Sequence, residues 1–215
     1  MVNLLYKEFR LVIHPLFHLV PLFGALVLIP NWVYFVALMY FLFVAVPNIF
    51  TNAKAQNDIG FSVLLPVRKS DVVKSRVLSM AILEVIQVAV ASIFVTISLV
   101  FYRQGNFFID ANIAFLGCAL VMYGVFNLVF FPGFYKSGHK IGIPFMIALI
   151  VSFLFTVVIE LLVVLVPPVT NILDGRTPEA LVKQIPVLVA GLAIFAGMTW
   201  LAYRKSAKNF ESVDL

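Results

Sequence analysis

Charge is scarce in this chain. Asp, Glu, Lys and Arg together make up 12% of 215 residues, against 63% hydrophobic, with a mean hydropathy of +1.08. A soluble domain of this size would carry far more charge, so the composition excludes that class and points to an integral membrane protein. Cysteine is scarcer still. Cys118 stands alone in an apolar run, so no intrachain disulfide can form, and no Cys/His spacing suggests a metal; it reads as buried filler. No Walker A pattern is present to cradle ATP phosphates. There is no His-Glu-x-x-His zinc motif, no Gly-x-Ser-x-Gly elbow and no pair of intramembrane aspartates. These absences count against a membrane enzyme: no catalytic residue and no metal site is expected. Internal repeats and low-complexity segments are also missing.

What is present is long apolar runs. A spanning helix needs about 20 apolar residues. Six segments qualify: 15–30, 33–50, 77–101, 111–131, 143–167 and 185–203. The first is short and carries Pro21 and Gly24. Lys7 and Arg10 precede it as in a signal peptide, but no small-residue cleavage site follows, so it is read as uncleaved. Pro30-Asn31-Trp32 closes a tight hairpin, with Trp32 and Tyr34 at the interface. The expected fold is an all-α membrane protein, one domain over 1–215 with six transmembrane helices.

Basic residues set the orientation. The N-terminus, 51–76, 132–142 and the tail hold Lys7, Arg10, Lys54, Arg68, Lys69, Lys74, Arg76, Lys136, Lys140, Arg204, Lys205 and Lys208, which is 12 of 15. The other side holds Arg103, Arg176 and Lys183, balanced by Asp110, Asp174 and Glu179. Both termini are therefore expected in the cytoplasm. The net charge of +5 follows from this asymmetry and implies no nucleic acid.

Residues 2–14 read as an amphipathic interfacial helix. Asn3, Lys7, Arg10 and His14 form its polar side, and Val2, Leu5, Phe9, Val12 and Ile13 its apolar side. On the far side, Thr177-Pro178-Glu179 is a helix start, predicting a short outer helix over 178–184 that runs into the last span, with a kink at Pro186.

The loop 51–76 gathers Asp58, Arg68, Lys69, Asp71, Lys74 and Arg76 beside an apolar knot, Phe61-Ser62-Val63-Leu64-Leu65-Pro66. Pro66 divides it. A helix over 52–64 would bring Phe61, Leu64 and Leu65 together, and Ser70 can cap the third span, with Asp71 in its first turn. Two readings fit the loop. Its apolar residues can dip into lipid while the basic ones meet anionic headgroups, or the cluster can seat a cytoplasmic partner.

Inside the spans, Glu84 and Gln87 share a face one turn apart, lining a substrate pathway or bonding a neighbouring helix. Glu160 can pair with Lys183 or Arg176, or face a polar exit cavity. Asn127 reads as a helix–helix hydrogen bond. Gly117 with Gly124, and Ala193 with Gly197, allow close helix packing. The 22 Phe suit lipid contact or an apolar cargo wall.

Three segments carry a family resemblance. Asn57-Asp58, Leu65-Pro66-Val67-Arg68-Lys69, Val72-Val73 and Ser75 resemble the first cytoplasmic loop of small ABC-2 type permeases. Phe131-Pro132-Gly133-Phe134-Tyr135-Lys136-Ser137-Gly138-His139-Lys140 resembles the second loop. Asn3-Leu4-Leu5-Tyr6-Lys7-Glu8-Phe9 resembles the N-terminal helix. Where that family often has an acidic-basic pair before the Asn, this chain has Ala53-Lys54-Ala55-Gln56. The chain is most similar to permeases of bacterial exporters for phenol-soluble modulins and related amphipathic peptides.

The resemblance implies a membrane subunit in the bacterial plasma membrane, paired with a second copy or paralogue and served by two copies of an ABC ATPase. ATP and Mg would be bound by that partner, not by this chain. It makes 51–76 a coupling loop, with Asn57, Asp58, Phe61, Leu64, Leu65 and Arg68 at the ATPase and Tyr135, Lys136 and Lys140 as a smaller contact. Glu84, Gln87 and Glu160 are the pathway candidates. Two rival classes remain: a non-pumping immunity or scaffold protein that binds an amphipathic peptide, and a lipid-modifying enzyme built on Glu160.

Overall fold

The computed structural model describes residues 2–13, 15–64, 66–101 and 105–212. His14 and Leu65, both singled out above, lie outside them, as does the side chain of Leu64. Every regular element among the described residues is helical. Helix α1 (Val2–Lys7) continues into a π-helical turn, Glu8–Val12, and is followed by a 3-10 segment, Pro15–Leu28. Then come α2 (Tyr34–Ala55), α3 (Asp58–Leu64), α4 (Lys69–Phe101), α5 (Ile113–Lys136), α6 (Gly142–Leu165), α7 (Pro167–Leu173) and α8 (Pro178–Glu211). Five of these, α2, α4, α5, α6 and α8, are long and apolar enough to cross a membrane.

The 3-10 segment occupies the place of the first expected span, 15–30. Its start lies near Glu8, which pairs with Arg76 at one end of the bundle. Its finish lies near Trp32, whose carbonyl accepts from Asn106 at the other end. The segment therefore runs the length of the bundle, packed on α4. A Cβ on Gly24 would stand 3.1 Å from Ala91 Cα, so glycine permits that approach. The end holding α1, α3, residues 137–141 and the close of α8 is called the loop end below.

Helix α5 is the central element, buried on nearly every side from Ala114 to Tyr135. Its Phe126 and Phe130 stack at 5.2 Å, and Phe50 meets Phe130 and Phe134 edge-on at 4.9 Å. Against α8 the backbones nearly touch. A Cβ on Gly117 would come within 2.8 Å of Val187 O and 2.9 Å of Leu188 Cα. The facing glycine is Gly191, not the Ala193 and Gly197 expected from sequence. The buried stripe of α8 runs through Gln184, Gly191, Phe195, Thr199, Ala202, Ser206 and Phe210, and positions 193 and 197 fall off it.

Other elements differ from expectation for local reasons. The fifth span stops at Leu165, because Pro167 pushes Val166 into an extended conformation (φ −117°, ψ 94°) and then opens α7. Residues 178–184 are the first turns of α8, capped by Thr177 Oγ1 on Ala180 N at 3.2 Å, and the helix passes Pro186 unbroken. In the N-terminal helix, a π turn holds more than 3.6 residues, so the phase assumed for its polar face shifts. Glu8 turns fully inward while Leu11, 63% exposed, turns out.

Candidate functional site

The loop end is built around a sharp turn between α2 and α3. Asn57 takes the left-handed conformation (φ 48°), which asparagine tolerates better than most residues. Its side chain folds over Gly60, where a Cβ would stand 2.7 Å from Asn57 Oδ1. Helix α3 then projects Phe61 outward, 58% exposed. Arg68 is exposed at the start of α4, which begins at Lys69, so Ser70 lies inside the first turn rather than capping it.

The second loop folds back to meet this turn. Ser137 Oγ donates to Phe134 O (3.1 Å) and Lys140 O (3.0 Å), and Gly138 and His139 both have positive φ. His139 is wedged among the rings of Phe134, Tyr135 and Phe210, with centroids at 5.3, 5.4 and 5.3 Å. Burial, and then the charge of Arg76, holds its imidazole below the usual range. Lys136 and Lys140 point into solvent, whereas Tyr135 is buried. Asn57, Asp58 and Gly60 of one loop and Phe134 and His139 of the other line a single cleft of 300 Å³.

Behind the cleft is a buried ionic cluster. Arg76, 2% exposed, meets Glu8 Oε2 through Nε at 2.5 Å, donates to Asp58 from its terminal nitrogen, and lies 5.5 Å from the Phe50 ring centre. Lys7 Nζ reaches Asp58 Oδ1 (2.7 Å), Ser62 Oγ (2.8 Å) and Glu8 (3.4 Å). Two cations thus meet two carboxylates, and α1, α3 and α4 are tied together. Asp58 is an internal strap for α3, with its carboxylate turned to Lys7 and Arg76. Lys7, Glu8, Ser62 and Arg76 were not singled out for this role. One signal existed: Glu8 is the only acidic residue before Asp58.

The polar residues within the spans are separate from this site. Asn127 Nδ2 donates to Glu84 Oε2 at 2.7 Å and to Thr199 Oγ1 at 3.3 Å, tying α4, α5 and α8. Gln87 is fully buried one turn further on. Glu160 accepts from the backbone N–H of Ile109 at 3.0 Å, while Arg176 turns to Asp110 (3.6 Å) and Ser98 O (2.7 Å). Lys183 is exposed. Glu160 therefore braces a loop, and the structure does not bring it together with Glu84. Among the described residues no cluster of His, Cys, Asp or Glu is suited to a metal.

No curated protein and no solved structure matches the chain. The family model described as ABC-2 family transporter protein matches residues 3–211. That match takes in the loop end, the ionic cluster and all the spans, and the chain belongs to this family of transporter membrane components.

Proposed function

We propose that the chain is the membrane subunit of an ATP-driven exporter, and that a separate ATPase docks at its loop end through α3. The observation that carries this reading is the convergence of the two loops on one cleft, with Phe61 exposed beside it. An exposed aromatic knob, at an end of the bundle that also exposes Lys54, Arg68, Lys136 and Lys140, is the chemistry of a docking seat. Helix α3 has seven residues, too few to hold itself in water. Its stiffness comes from Asp58 and Ser62, so a push on Phe61 passes to Arg76 in α4 and Lys7 in α1.

In this reading the 3-10 segment is the sixth crossing. At about 2.0 Å rise per residue its 14 residues cover about 28 Å, close to the roughly 30 Å of a hydrocarbon core. Both ends then face the cytoplasm of a bacterial cell, in accord with the 12 basic residues at the loop end. Two copies of this chain, or one with a paralogue, sit on two ATPase copies that bind ATP and Mg. The cargo is an amphipathic peptide or similar apolar molecule, for which the exposed Phe153, Leu154 and Leu161 of α6 offer a wall of low desolvation cost.

Phe61→Asp tests the docking. Pulled from its host in mild detergent, the wild-type chain should carry an ATPase with it. The variant should lose that partner while inserting in the membrane normally. Undiminished association of the variant would refute the docking assignment.

A further inference from the structure

Away from the docking cleft, the seam between α4 and α8 opens sideways. It forms a groove of 460 Å³ lined by Lys74, Leu78 and Ile86 of α4 and by Ala196, Trp200 and Tyr203 of α8, among other apolar residues. Its length is informative. From Lys74 to Ile86 the helix rises about 18 Å, which matches one leaflet of a core about 30 Å thick rather than the whole membrane. A spanning helix from a second copy would need a seam of full length.

Charge is confined to one end of the groove. Lys74 lines its loop end, and the Arg204 guanidinium lies 5.1 Å from the Trp200 ring centre at the same end. Among the described residues no carboxylate pairs with either cation. Trp200 and Tyr203 stand where interfacial aromatics sit, with the remaining lining apolar apart from Thr199. A cationic rim, an aromatic collar and a leaflet-deep apolar trough are complementary to one kind of molecule.

We propose that this groove binds an anionic phospholipid, with one acyl chain in the trough and the phosphate met by Lys74 and Arg204. The site does not depend on the ATPase docking. Its wall includes Thr199, which Asn127 joins to Glu84, so the acyl chain bears on the bond that ties α4, α5 and α8.

Native mass spectrometry of the full chain, titrated with phosphatidylglycerol or phosphatidylcholine, tests the site. Two variants separate its parts: K74Q/R204Q removes the charge, and A196F fills the trough. All three positions are exposed, so folding is not at stake. The wild type should retain phosphatidylglycerol over phosphatidylcholine. Each cation near an anionic surface contributes about fivefold, so K74Q/R204Q should weaken phosphatidylglycerol about twenty-fivefold, and phosphatidylcholine, whose choline offsets its phosphate charge, far less. A196F should reduce both lipids. Equal retention of phosphatidylglycerol by all three proteins would overturn the proposal. So would loss in A196F with no change in K74Q/R204Q, which would leave an unselective apolar trough. A fall in the dimer mass of A196F would assign the groove to a second copy instead.

Discussion

Both ends of this bundle are held by buried polar groups, but by different kinds of bond. At the loop end the ties run between long charged side chains: Lys7 and Arg76 to Glu8 and Asp58. At the opposite end, beside one ion pair from Arg176 to Asp110 (3.6 Å), most run from side chain to backbone. Asn112 caps α5 at Phe115 N (2.9 Å) and donates to Leu173 O (2.7 Å). Glu160 holds Ile109 N, Asp174 holds Asp110 N (2.9 Å), and Gln184 joins Ala114 N (3.3 Å) to Gly175 O (3.1 Å). A backbone bond fixes where a loop lies. An ion pair between flexible side chains keeps its attraction through a shift of an ångström or more, because Coulomb energy falls slowly with distance. The loop end is thus fastened in a way that tolerates movement of α3, and the opposite end in a way that does not.

The largest test removes the hub of the movable end. Arg76→Met leaves two buried carboxylates, Glu8 and Asp58, to Lys7 alone, which should cost about 3–5 kcal/mol in reversible unfolding from mixed micelles. Adding Glu8→Gln should recover most of that loss, because Lys7 and Asp58 then remain as a matched pair at 2.7 Å. A double variant as unstable as the single one would show that hydrogen-bond geometry, not charge, holds this end.

At the fixed end, Asn112→Ala removes a helix cap and a loop tie together. A loss of about 1–2 kcal/mol is expected in the same assay. Hydrogen exchange should rise at 105–113 and 173–177 while 57–64 stays protected. Equal loosening of both ends would erase the distinction drawn between them.

The smallest effect is a pH response of opposite sign at the two ends. Asp174 is raised from 3.8 to about 6, chiefly by burial and also by nearby Asp110, against the pull of the backbone N–H it accepts. Its contribution is full below pH 3.8 and is lost as pH rises through about 6. His139 is lowered from 6.5, so its contribution is present above that value and is lost as pH falls through the folded-state value. Melting curves of Asp174→Asn and His139→Gln against wild type, from pH 4 to 8, should diverge in opposite directions. Parallel curves would place the pH response elsewhere.

Much of this arrangement was legible from one-dimensional signals. The membrane class follows from scarce charge, because a bilayer penalises each charge in turn wherever the chain folds. The long spans follow from apolar length, the start of α8 from Thr177-Pro178-Glu179, and the loop end from where Lys and Arg collect. These are sums or neighbours along the chain, and partners far away do not change them. The irregular windings were not legible in this way. The π turn at Glu8–Val12 and the 3-10 winding of Pro15–Leu28 break the 100° period on which face assignments rest.

Tertiary structure alone decided the pairings. Asp58 looked like a surface charge in a charged loop, and became an internal strap because Lys7 and Arg76 lie 51 and 18 residues away in sequence yet meet it in space. The partner of Glu84 is Asn127 of another helix, which also donates to Thr199 of a third, and no spacing along the chain announces that pairing. Gly191 became the close contact for Gly117 because the register of α8 against α5 put it there. The sequence by itself determined that the chain enters a membrane, where its long apolar spans lie and where its charge gathers, since those depend on local composition and solvent. Which charge neutralises which, and which helix touches which, depend on contacts between segments distant in the chain, and only the packed fold supplies them.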